Sequence, residues 1–264
     1  IEAVLALDVN NLEVFQLFFK DRLDQISGRV VGNANISGTI QQPVILGTLR
    51  FQDVDFTTLK PVSSFHLEDE LLKLDNQGIV LDNFTIYDQL QNPLVLDGIL
   101  RTQDYQTFDY DFRLVAENYC LINNPKSDQY QLQGNLVVGS NLEFKGNEKD
   151  TYIDAEITIR DTTELSYRLP EQNLDLLSNE GIVEFVDPNN PTDTLTLDKP
   201  ESFYDSIMAN LPSFNLKSRV LLEEKAVFRV ITNPRSGDFV EVSGTAALNF
   251  DVDGAGNVEL NGTY

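Results

Sequence analysis

One histidine, one cysteine and a large excess of carboxylates are the groups in this sequence that could carry chemistry. A Ser-His-Asp or Cys-His site would have to use His66 as its base. His66 stands between Phe65 and Leu67 on the polar parity of a strand and is followed by Glu68 and Asp69. It reads as an exposed strand histidine. No Gly-x-Ser-x-Gly elbow, phosphate loop or dinucleotide fingerprint occurs. A zinc site would need several Cys or His ligands, which the sequence lacks. Asp251-Val252-Asp253-Gly254-Ala255-Gly256 has the outline of a calcium loop, but Ala255 stands where the third ligand belongs. Asp253–Gly254 is better read as a hairpin turn joining the strand that ends at Val252 to Val258 and Leu260. Carboxylate pairs are too common in so acidic a chain to point to glycoside chemistry. Asn-x-Ser/Thr triplets at Asn35, Asn83 and Asn261 are what chance gives at this asparagine content. The expectation is a protein that is not an enzyme and uses neither cofactor nor metal.

The charge balance narrows the partners. Forty-two acids against 19 bases give a formal net charge of −23. Nucleic-acid binders need a basic footprint to displace counterions, so no nucleic-acid partner is expected. Docking on an anionic lipid surface calls for Lys/Arg clusters and is disfavoured for the same reason. A solvated acidic outer surface is the plain reading. Cys120 is alone, which excludes an intrachain disulfide and leaves the compartment open. No apolar run reaches the ~18–20 residues of a membrane helix, and no signal peptide opens the chain. The sequence starts without Met inside an alternating run (Ile1, Ala3, Leu5, Leu7, Val9) and stops as another strand develops. It reads as an excised segment whose targeting and anchoring parts lie elsewhere.

Stepping along the chain, a helix is expected after Asn10–Asn11, with Leu12, Phe15, Phe18, Phe19 and Leu23 at helical spacing, ending before Gly28. From there the period is two. Val30, Ala34, Ile36 and Ile40 share a row with Gly32 and Gly38, and Ile45, Gly47, Leu49 and Phe51 form the next. Shorter rows follow from Phe65 to Ile86, then Leu94, Leu96, Gly98 and Leu100. Phe108, Tyr110, Phe112, Leu114 and Ala116 alternate with Asp109, Asp111 and Arg113. Leu132, Leu136 and Val138, Leu142 and Phe144, Ile153 to Ile159, and Leu165 to Leu169 repeat the theme. One apolar and one polar face is the signature of antiparallel strands with a single wet side. A second helix with Phe203, Ile207 and Leu211 on one face is possible near 201–211. Gln42-Pro43-Val44-Ile45-Leu46-Gly47-Thr48-Leu49-Arg50 also matches Asn92-Pro93-Leu94-Val95-Leu96-Asp97-Gly98-Ile99-Leu100-Arg101, a faint repeat about fifty residues apart.

The apolar row has two readings. It is an ordinary sealed core, the default for alternating strands, or a groove that stays open and receives acyl chains. Glycines in the row (Gly32, Gly38, Gly47, Gly98, Gly134, Gly244, Gly262) would lower the wall locally in an open groove and form bulges in a closed one. Pattern alone favours the core.

The order of elements carries a resemblance. Ile26-Ser27-Gly28-Arg29-Val30-Val31-Gly32 leads to Ile36-Ser37-Gly38-Thr39, Pro43, Gly47-Thr48-Leu49-Arg50-Phe51, Ile86-Tyr87-Asp88 and Asn92-Pro93-Leu94-Val95-Leu96-Asp97-Gly98. Gln133-Gly134-Asn135-Leu136, Asp161-Thr162-Thr163, Leu169-Pro170, Asn215-Leu216, Asn233-Pro234-Arg235-Ser236-Gly237-Asp238, Val242-Ser243-Gly244 and Gly262-Thr263-Tyr264 continue it. This series resembles the translocation and assembly module family TamB of the AsmA-like group, particularly its Bacteroidetes-type relatives. It covers most of the chain, with residues 190–213 the least recognisable.

The resemblance implies an all-β fold: an elongated, curved, antiparallel-rich sheet folded over an apolar groove, the "β-taco". It implies one elongated domain over 1–264, with a strand-and-helix lead-in at 1–27 and a main segment at 28–186. An insertion or linker follows at 187–214, and further strands at 215–264. It implies a periplasmic protein anchored in the inner membrane by a segment absent from this chain, with phospholipid acyl chains and an assembly-type outer-membrane barrel protein as partners. The function so implied is lipid transfer between the membranes. The alternatives are an assembly or chaperone module for outer-membrane proteins and a structural all-β protein with a sealed core. The residues expected to line the groove are Ile36, Leu49, Phe51, Leu94, Leu96, Phe108, Tyr110, Phe112, Leu114, Leu132, Leu136, Ile157, Leu248 and Phe250. Fifteen to eighteen strands at ~4.8 Å spacing would give roughly 70–85 Å of groove.

Overall fold

Strand periodicity governs the structure almost throughout. The computed structural model of the chain describes residues 2–16, 19, 22–39, 41–102, 104–127, 130–169, 213–233, 236–254 and 256–264. Contacts divide the chain into one unit of residues 1–168 and 212–264 and another of 169–211. The second unit, apart from Leu169, lies outside the described residues, and with it the helix expected near 201–211 and nearly all of the insertion expected at 187–214.

The first unit is an open, curved sheet, not a closed barrel. Strands β1 (Ala3–Val9), β2 (Leu23–Gly38), β3 (Pro43–Leu59), β4 (Val62–Asp75), β5 (Gly78–Asp88), β6 (Pro93–Arg101), β7 (Asp109–Asn124), β8 (Leu132–Asn147) and β9 (Asp150–Ile159) form a meander, each antiparallel to the next. A helical turn α1 (Glu13–Gln16) lies between β1 and β2. Among the described residues the expected N-terminal helix is present as the turn Glu13–Gln16, and Leu23, placed on it by spacing, belongs to β2. Asn11 caps it, its Oδ1 accepting the Glu13 N–H at 2.8 Å.

Beyond β9 the sheet splits lengthwise. Strand β10 (Glu164–Arg168) returns to pair with the start of β8, while β9 pairs with the rest of it. Strands β11 (Ser213–Leu222) and β12 (Val227–Asn233) run parallel to β9 and β10. Parallel neighbours need a crossover of a dozen or more residues, and the chain between Arg168 and Ser213 has that length. Strands β13 (Asp238–Ser243) and β14 (Ala246–Val252) are antiparallel to β12 and β11, and β15 (Val258–Thr263) completes a hairpin with β14. The turn expected at Asp253–Gly254 is this hairpin, where the Asp253 carboxylate accepts the Asn257 N–H at 2.9 Å. The sheet described has fifteen strands, within the fifteen to eighteen expected, but only twelve stack side by side along its main path, which shortens the expected groove, because β10, β12 and β13 lie end to end with β9, β11 and β14.

Two lines of irregularity bend the sheet. The first runs through Gly28, Asp53 (φ 46°) and Asn83 (φ 52°) in β2, β3 and β5. A Cβ on Gly28 would sit 2.4 Å from the Asp53 carbonyl oxygen, so only glycine lets these two strands close here. The second runs through the bulge between Ala116 and Tyr119 and the breaks at 160–163, 223–226 and 244–245. At this line side chains replace ladder partners. Buried Thr163 uses its hydroxyl to accept the Val137 N–H at 3.0 Å and donate to the Val137 carbonyl at 3.1 Å. Glu223 accepts from Arg160 at 2.9 Å and from the Asp161 N–H at 2.8 Å, which holds its carboxyl below the usual range.

The faint repeat has a local meaning. Pro43 and Pro93 each open a strand just after a hairpin turn, the position where a missing N–H costs the ladder least.

Candidate functional site

Paired residues in a ladder share a face, so the register assigns the inner row directly. Ile36 pairs with Ile45, Leu49 with Gly32 and Leu72, and Phe51 with Val30. Leu94 pairs with Ala116, Leu96 with Leu114, Gly98 with Phe112 and Leu100 with Tyr110. Phe112 in turn pairs with Phe144, Leu114 with Leu142, and Leu136 with Ile122. Ile157 faces Ser140 and Val220, Leu248 faces Val220 and Gly262, Phe250 faces Ser218 and Leu260, and Leu132 faces Tyr167. The register places thirteen of the fourteen residues expected to line a groove on one face of the sheet, and Phe108 lies just before β7, outside the ladder.

The opposite face carries charge. Arg29–Asp8, Arg50–Asp69, Lys73–Asp82, Lys145–Asp111 and the Glu164–Arg229–Glu241 group lie there, all partly exposed. Such pairs add little stability and mainly keep that face wet. His66 is on it too, and it is half-buried, not fully exposed, with Nδ1 2.9 Å from Asp55 across the β3–β4 ladder.

Spacing placed Val30, Leu67 and Phe84 in the row but missed Val54, Phe56 and Tyr119. Across Asp53 the inward parity shifts from Phe51 to Val54 and Phe56, and across Asn83 from Leu81 to Phe84. Val30, Val54, Leu67 and Phe84 are buried there in one cluster with Leu12, which arrives from the β1–β2 connection. Full burial of a leucine is worth about 2 kcal/mol. Tyr119, next after the Ala116 bulge, is buried and stacks on Phe65 at 5.9 Å. Between these bends the row is half-buried and aromatic, with Phe144 centred 5.2 Å from Phe112 and 5.6 Å from Tyr110.

Glycines in this row are not gaps. A Cβ at Gly98 would meet the Phe112 ring at 2.4 Å, because that ring already lies over it. The larger neighbour fills the space the glycine leaves.

Glu70 interrupts the apolar row. It pairs with Phe51 on the inner face, beside the stretch where the β4–β5 ladder opens between Leu67 and Leu72. Burial raises its carboxyl above the usual range, against the opposing pull of a hydrogen bond from the Thr85 N–H. A carboxyl raised on folding makes the folded state less stable as pH climbs from the unfolded value through the folded one. Glu70→Gln is therefore expected to raise the urea midpoint at pH 7 slightly and to match the wild type at pH 3.5. Equal midpoints at both pH values would show that the ionised carboxylate costs nothing there.

Among the described residues no helix is long and apolar enough to cross a membrane. A cleft of about 560 Å³ lies at the turns around Gln42, Gln77, Thr102 and Asp109, and its lining is polar, unlike the inner face. In comparison with known proteins, a family model described as "TamB C-terminal domain" matches residues 82–264. No curated protein and no solved structure matches.

Proposed function

This chain belongs to the TamB family, and we propose that it is a non-catalytic envelope scaffold whose inner face carries phospholipid acyl chains across the periplasm. The observation that supports this most is the partly buried, largely apolar face from Leu94 on β6 to Ile157 on β9, interrupted at Ser140 and carrying Tyr110, Phe112 and Phe144. Each methylene exposed to water costs ~0.8 kcal/mol, so a largely apolar wall lowers the barrier to moving an acyl chain through an aqueous gap. Such a wall needs no polar constellation, which agrees with a sequence that offers none. The acidic outer face keeps the scaffold soluble between membranes and repels anionic headgroups from the wrong side. In the proposed arrangement an inner-membrane anchor outside this segment holds the full protein, and an outer-membrane barrel protein receives its other end.

The test is uptake from vesicles. Purified protein incubated with liposomes containing nitrobenzoxadiazole-labelled phosphatidylethanolamine is expected to extract label and deliver it to acceptor liposomes. Label that stays with the donors at every protein concentration would overturn lipid carriage.

A second reading, assembly of outer-membrane proteins, draws on the sheet edges. Among the described residues, strands β13 and β15 pair on one side only, and every residue in them is exposed there, including Phe239, Val240 and Leu260. Such edges accept an added strand. Peptides copying a barrel strand would protect the β13 amides from hydrogen exchange under that reading and leave them unprotected under the lipid one.

A further inference from the structure

We propose that the polar cleft at the β2–β3, β4–β5 and β6–β7 turns seats the phosphoethanolamine head of a phospholipid whose tails lie on the inner face. The inference rests on the lipid-carrying reading of that face. The cleft holds about 560 Å³, within the ~300–1,000 Å³ of small-molecule sites. Residues of all three turns line it, among them Gln42, Gln77 and Asp104, and the Thr102 N–H donating to the Gln77 carbonyl at 3.0 Å ties two of the turns together.

Its position suits an amphiphile. Ile36–Ile45, Leu74–Ile79 and Leu100–Tyr110 are the last pairs of large apolar side chains on the inner face before these turns. Ile45 also lines a smaller cleft of about 190 Å³, which shares Gln42, Asn76 and Thr102 with the larger one and adds Tyr105. The apolar row and the polar cleft therefore adjoin through Ile45.

The charges in the cleft match a zwitterion. Arg101 and Asp109 form the last pair of the β6–β7 ladder, yet among the described residues neither side chain makes an ion pair or hydrogen bond. Asp104 uses one oxygen for its own turn, accepting the Thr107 and Gln106 N–H groups at 2.8 and 2.9 Å. Those bonds hold its carboxyl below the usual range and leave the other oxygen unused. One guanidinium is thus open to a phosphate and two carboxylates to an ammonium. A primary ammonium donates three hydrogen bonds, and the trimethylated ammonium of choline donates none. A glycerol head leaves the phosphate charge uncompensated against two acids and one base. Both differences favour ethanolamine. Arg101 and Asp109 are on the polar parity, so the head reaches them over the rim at the strand ends, with the tails turned past Tyr105 and Ile45.

The test offers the purified chain liposomes of equal parts dioleoyl phosphatidylethanolamine, phosphatidylcholine and phosphatidylglycerol, with mass spectrometry of the protein-bound lipid. Wild type is expected to hold phosphatidylethanolamine about tenfold over phosphatidylcholine, the effect of one charge-assisted hydrogen bond. Asp104→Asn/Asp109→Asn is expected to lose that preference. Asp154→Asn, at an exposed position of β9 outside the cleft, is expected to keep it. Should the double variant fail to fold, Asp109→Asn alone, at an exposed position, is read the same way. Lipid bound to wild type without preference, or a preference the variant retains, overturns the head site and leaves lipid carriage standing. Glycerophosphoethanolamine, the same head without tails, is expected to compete only weakly. Competition as strong as that of the intact lipid would overturn the lipid assignment and make the cleft a site for a soluble zwitterion. No bound lipid of any class removes lipid carriage and the head site together.

Discussion

Asp88→Ala is expected to cost about 3–5 kcal/mol of stability and to make the Cys120 thiol reactive. Asp88 ends β5 and is only 1 % exposed. One oxygen accepts the Leu90 and Asn92 N–H groups at 2.8 and 2.9 Å, fixing the turn into β6. The other accepts the Cys120 N–H at 2.7 Å, where the β7 ladder is broken beside its bulge. Strands β5 and β6 stop short there, and the ends of β4 and β7 meet past them through Phe65–Tyr119, Ser63–Leu121 and Val62–Asn124 contacts. Without the carboxylate a buried N–H loses its partner, the turn loses its cap, and the β4–β7 closure loses its base. Burial holds the Cys120 thiol above its usual pKa and shields it. Urea denaturation followed by iodoacetamide labelling checks both parts. A loss below 1 kcal/mol with an unreactive thiol would show that the turn holds without Asp88.

Much of this architecture is legible in the sequence, because strand alternation reports which side chains share a face. The rows Leu94–Leu100 and Phe108–Ala116 need only a period of two, and the register pairs them as the period implies. Reading fails where the period slips. Asp53 and Asn83 adopt positive φ and move the inward set by one residue, which hid Val54 and Phe56. The helix after Asn11 is a related failure. Leu12 and Leu23 fit a helical stripe, yet Leu23 and Ile26 gain more by joining β2 against Thr58 and Phe56. Nor does parity reveal that Thr163, Ser63 and Asp88 substitute for backbone partners, since that depends on which strands stop short. The lengthwise split beyond β8 has the same origin: nothing local at Arg160–Thr163 announces that β9 and β10 share one neighbour. Fold class and the inner row were readable from pattern, and family from the ordered motifs, while depth and closure of the row depended on bulges.

The second large effect concerns the row itself. Phe112 and Phe144 pair across β7 and β8, and both are half-buried, so the sheet keeps its hydrogen bonds when they change. Replacing both with glutamate puts two carboxylates where an acyl chain would lie. Excluding about four to six methylenes from the wall costs roughly 3–5 kcal/mol, a hundredfold or more in affinity. Val115→Glu and Leu46→Glu are the matched controls, because both positions are exposed on the opposite face.

Native mass spectrometry of gently purified wild type, the Phe112→Glu/Phe144→Glu variant and these controls, with lipid extraction from the same samples, tests the inner face as a lipid path most directly. Phospholipid bound to wild type and both controls, and absent from the folded double variant, is the predicted result. Lipid-free wild type that also refuses added phospholipid, or a double variant that retains it, would contradict the account and leave the inner row as a core.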